Sequence, residues 1–147
     1  MHGGKNVKFK QFQFLKNEAI KKLTALEEEP LRLRKRTIEE CLSADAVMLA
    51  YIGDAVYSMY VRERVVQMNI TKVQILHTIV TEFICAKSQA KVLLEIENTF
   101  TEDEQAIARR ARNSNVNVPK SSTVQEYRSS TAFEAVLGFL YETRQEE

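Results

Sequence analysis

The sequence predicts an all-α protein, and three observations carry that reading. Apolar residues recur at helical spacing along nearly the whole chain, runs of alternating apolar and polar residues bounded by turn signals are missing, and only two prolines and four glycines punctuate 147 residues. A chain of this length makes about one domain and can bury a real core. Its net charge of +1 points to no class of partner, so any basic footprint must come from local clustering. No apolar run approaches the length that spans a bilayer, and the first residues, MHGGKNVKFKQFQFLKNEAIKK, lack the apolar stretch of a signal peptide. A cytoplasmic location is therefore expected. Cys41 and Cys85 stand far apart, outside any CxxC spacing, and are expected to be reduced packing residues.

Taken in order, the first helix is predicted over residues 14–28, with Leu15, Ala19, Ile20, Leu23 and Leu26 on one face. Pro30 ends it ahead of a short basic helix starting near Leu31, so that residues 1–42 read as a basic helical extension of a main domain over 43–147. Ser43 or Asp45 is placed to cap a helix running to about Gln67, where Met68 and Asn69 make the turn. Thr71 is expected to cap the next region, one or two helices through Asn98, with Ile75, Ile79, Phe83, Ile84, Val92, Leu93 and Ile96 facing the core. Thr101 with Glu104 has capping-box spacing and opens a helix to about Asn113. NSNVNVPKSS, residues 113–122, is the clearest loop, and Ser122 or Thr123 opens the last helix.

Two carboxylates sit alone in the two most apolar stretches: Asp54 in AVMLAYIGDAVYSMYV and Glu134 in SSTAFEAVLGFLY. A buried carboxylate must be compensated by a partner, a cation or a proton, and no basic residue lies beside either one. Gly53 costs a helix interior about 1 kcal/mol relative to Ala, so its place directly before Asp54 points to a close approach there. Ala132, Ala135 and Gly138 give Glu134 similarly small neighbours. Two such helices can pack closely and set both acids on one divalent cation; the bland alternative is that each acid bonds a neighbouring element, with Tyr51, Tyr57, Tyr60 and Tyr141 as possible donors. Upstream of Glu134 lies a basic cluster, RRARNSNVNVPKSSTVQEYR, in which Arg109, Arg110, Arg112, Lys120 and Arg128 are opposed only by Glu126. Read alone it can be a solvated helix end; beside a carboxylate pair it reads as a grip on a phosphate backbone. Only Tyr127 is interleaved with it, which favours a duplex recognised by shape over stacked single-stranded bases.

The run LAYIGDAVYSMYVRERV, with ICAKSQAKVL, the RRARN…PK stretch and EYRSSTAFEAVLGFLY, closely resembles the compact Mini branch of the ribonuclease III family. The resemblance covers residues 43–147 and leaves 1–42 outside. It implies an all-helical ribonuclease III catalytic domain without a separate double-stranded-RNA-binding domain. It also implies a homodimer and Mg²⁺-dependent endonucleolytic cleavage of double-stranded RNA, with precursor 23S ribosomal RNA as substrate. Asp54 matches the aspartate of the family's GDA motif and Glu134 its late glutamate, both metal ligands in the wider family. The larger enzymes carry further acids where this chain has Ala50 and Thr131, so fewer protein ligands are expected around the ion. Lys87 resembles a family position near the site and is a candidate phosphate contact, against the commoner reading of a surface lysine.

Two other classes compete. A non-catalytic RNA-binding or ribosome-assembly protein on the same fold would have lost Asp54 or Glu134, and both are present. A helical nucleotide pyrophosphatase would need several ExxE-type carboxylates facing one another, whereas the acidic runs Glu27–Glu29 and Glu102–Glu104 lie at helix ends. A phosphohydrolase built on paired histidines is excluded, because His2 and His77 are the only histidines.

Overall fold

The structure, a computed structural model, describes residues 3–24, 34–114 and 117–144. The chain divides into two compact units, Met1–Arg34 and Lys35–Glu147. The first holds α1 (Gly3–Thr24), which starts well before the expected residue 14 and leaves Phe9, Phe12, Leu15 and Leu23 exposed within its own unit. The expected continuation to residue 28 and the basic helix near Leu31 lie outside the described residues.

The second unit begins at Lys35, before the expected boundary at 43, and the reason is local. The Arg36 backbone N–H donates to the Glu142 carbonyl at 2.8 Å, and its Nε meets Glu142 Oε2 at 3.1 Å. A capping box of Thr37 and Glu40 then opens α2 (Ile38–Ser43), whose Cys41 is fully buried in the core. Residues 38–42 are thus part of the main unit's packing.

Asp45, of the two caps considered, starts α3 (Ala46–Val66) by accepting from the Val47 N–H at 3.0 Å. The turn after it is made as expected, with Asn69 in the left-handed region at φ 56°. Thr71 does not cap the next helix: α4 (Val73–Ile84) starts from Lys72 with no side-chain cap. The break that periodicity could not place falls at Cys85, whose extended backbone (φ −68°, ψ 154°) separates α4 from α5 (Ala86–Ile96). Cys85 itself is exposed, against expectation, while both cysteines are free thiols. A 3₁₀ turn at Glu97–Thr99 leads to α6 (Glu102–Arg112) and then α7 (Val124–Glu142), opened by the capping boxes Thr101–Glu104 and Thr123–Glu126. No strand occurs among the described residues.

The apolar character of α7 is spread around its circumference, and a helix of that kind belongs inside. It is packed on by α3, α5 and α6, and Ala132, Phe133, Ala135, Val136 and Phe139 are almost fully buried. A smaller cluster of Val61, Val65 and Val80 joins α3 to α4. Ile75 and Phe83 do not join it: they are 45% and 52% exposed, while Leu76, Ile79 and Ile84 of the same helix pack against it.

Candidate active site

The crossing of α3 and α7 is built on two glycines. A Cβ on Gly53 would lie 1.7 Å from the Glu134 carbonyl oxygen, and one on Gly138 would lie 1.9 Å from that of Leu49. Each helix therefore sets a glycine against the other's backbone, and any side chain would force them apart. This close approach brings Asp54, one residue after Gly53, against Glu134.

The two carboxyls lie within hydrogen-bond reach of each other, and Glu134 is pushed up to about 8, first by burial and then by its hydrogen bond to Asp54 and the charge there. Asp54 is exposed rather than buried, on a helix whose Met48 and Tyr51 are also uncovered. A proton can hold the two carboxylates together; a divalent cation can do the same with more charge. The donor set is hard oxygen, the kind that suits a small divalent ion. No group of three or more His, Cys, Asp or Glu side chains surrounds a common point among the described residues. Nearby, Ala50 is buried and the Thr131 hydroxyl donates to its own helix at the Tyr127 carbonyl, 2.9 Å away.

Two residues that the sequence reading missed stand behind the pair. Ser130 Oγ is 3.3 Å from Glu134 Oε1 and also donates to Gln89 Oε1. Gln89, on α5, is 1% exposed, and its Nε2 has no hydrogen-bond partner. Ser130 could have been found from its spacing four residues before Glu134, which puts both on one helix face.

The basic cluster is divided by the fold. Both arms of the Arg110 guanidinium are committed to the carbonyls of Leu42 and Ala44, clasping the end of α2 to α6. Arg110 is exposed and two of its guanidinium nitrogens serve this clasp, so an RNA contact by Arg110 would have to use its remaining donors. Arg112 pairs with Glu97 at 3.3 Å and lines an open groove with Arg128. Lys87, Arg109, Lys120 and Arg128 are exposed.

The sequence pattern of the ribonuclease III domain matches residues 47–145. A Mini-ribonuclease 3 from Thermoanaerobacter sp. is 43% identical over 106 residues, covering 71% of this chain and 75% of the relative. Another from Streptococcus pneumoniae is 42% identical, covering 67% and 80%. The crystal structure of a Fusobacterium nucleatum protein superposes with a TM-score of 0.68 at 33% identity, covering 71% of this chain and 86% of that one. The chain belongs to the ribonuclease III family, in its compact Mini-ribonuclease branch, and is an endoribonuclease of double-stranded RNA.

Proposed function

We propose that this endoribonuclease is Mg²⁺-dependent, matures precursor 23S ribosomal RNA in the cytoplasm, and works as a homodimer that presents one Asp54–Glu134 pair to each strand. The observation that carries the reading is the meeting of those two carboxyls at a glycine-lined crossing, with Glu134 holding a proton near neutral pH in the absence of a cation. Asp54 and Glu134 are the residues that would hold the ion. Once bound there, a divalent cation supplies activation of an attacking water and neutralises charge on the scissile phosphate. Glu134 must give up its proton to take that role, and the Ser130 hydroxyl 3.3 Å away favours its charged form. Asp54, on the exposed side, is the member of the pair open to RNA and solvent.

Lys87, Arg109, Lys120 and Arg128 form the proposed phosphate grip, with Arg112 joining it if RNA displaces Glu97. A twofold dimer suits a duplex, whose strands are related by a local twofold. The exposed apolar residues Met48, Tyr51 and Met59 on α3 and Ile75 and Phe83 on α4 support such an association. The test is cleavage of a paired precursor 23S stem by purified protein in Mg²⁺ and in excess chelator. Defined cuts only with Mg²⁺ are expected; tight binding without cuts under both conditions would move the reading to a catalytically silent assembly factor.

A further inference from the structure

Ser130 has one hydroxyl proton and two acceptors, Gln89 Oε1 and Glu134 Oε1. As placed, Gln89 Oε1 competes with Glu134 for that one proton, and the buried Gln89 Nε2 is left with nothing to donate to. A buried donor without a partner costs about 1–3 kcal/mol, and few are tolerated in a folded protein. Turning the amide about its last torsion exchanges its oxygen and nitrogen without moving the rest of the side chain. Nε2 then donates to Ser130 Oγ, and the Ser130 proton is released to Glu134. The acceptor left over is more readily tolerated than an orphaned donor.

We propose that Gln89 is a positioning residue for the reaction: its amide fixes the Ser130 hydroxyl so that it donates to Glu134 and holds that carboxylate in the orientation the cation requires. The arrangement crosses from α5 to α7, so the site is braced from a helix that carries neither acid. Without the amide donor, the hydroxyl is free to turn back onto its own helix, as helical serines commonly do. Gln89 is almost fully buried and does not contact substrate, which makes its role indirect. The inference rests on the reading of Asp54 and Glu134 as the cation pair.

The test is Mn²⁺ binding to the full chain, followed by the paramagnetic signal of the free ion, for the wild type and for Gln89→Met, Ser130→Ala and the double variant. Loss of such outer partners typically weakens metal binding about 10–100-fold. Each single variant is expected to weaken Mn²⁺ binding about 10-fold, with duplex RNA affinity in chelator unchanged. The double variant should bind no more weakly than Ser130→Ala, because Gln89 acts through Ser130. Wild-type Mn²⁺ affinity in Gln89→Met, or effects that multiply in the double variant, would overturn the relay. If Gln89→Met does not fold, Ser130→Ala carries the test, and unaltered affinity there overturns it equally. Asp54→Asn run alongside separates the two levels: unchanged Mn²⁺ binding in that variant defeats the cation pair itself, and the relay with it.

Discussion

Burial and the neighbouring Asp54 push Glu134 up, and that residue-scale shift has a measurable sign. Its value rises from 4.5 to about 8 in the folded chain. Between those limits the folded state holds a proton that the unfolded state has released, so stability must fall as pH rises through the window. Urea unfolding in chelator is expected to show a lower midpoint at pH 8 than at pH 5.5, and Glu134→Gln should flatten the trend. Mg²⁺ should restore more stability at pH 8 than at pH 5.5, because at pH 5.5 it must first displace the proton. A wild-type midpoint that rises across this range would contradict the account. The isolation of both acids in apolar runs was legible in the sequence, since a lone charge stands out there. The exposure of Asp54 was not, because it depends on which face of α3 the other helices cover. Gln89 was equally hidden: a buried amide leaves no periodic mark.

At the scale of elements, the fold turns on the crossing of α3 and α7. A Cβ 1.7 Å from the Glu134 carbonyl oxygen cannot be absorbed by a rotamer change, since the obstacle is backbone. Gly53→Ala is expected to cost about 3 kcal/mol or more, the upper range for overpacking, despite alanine's better helix propensity. A denaturation midpoint equal to that of the wild type would show that the helices are not so close. The helix caps at Asp45, Thr101 and Thr123 were readable because capping chemistry is local. The start of α4 and the outward turn of Ile75 and Phe83 were not, since tertiary packing decides both. The arginines divide in the same way. Reversing Arg109 and Arg128 to Glu should weaken duplex binding and flatten its salt dependence by about one unit of slope per lost phosphate contact, with little change in melting temperature. Arg110→Ala should instead lower the melting temperature, because it opens the clasp on α2. An unchanged salt slope for the first pair would remove them from the grip.

For the molecule as a whole, the main unit carries its acids on one crossing and leaves an apolar face on α3 and α4. Tyr51 is 83% exposed and Met59 59% exposed, in a helix whose other side is core. The apolar density of that helix was legible in the sequence, whereas its division between core and outer face required the fold. Sedimentation at micromolar concentration should give a dimer, and a monomer there would contradict the proposed assembly. The central claim is that Asp54 and Glu134 act as one cation-holding pair, and it is tested most directly by cleavage of a long, perfectly paired RNA in Mg²⁺ by Asp54→Asn, with binding measured in parallel. The account predicts that cleavage is lost while RNA binding stays within a few-fold of wild type; cutting at the wild-type rate by Asp54→Asn would contradict it.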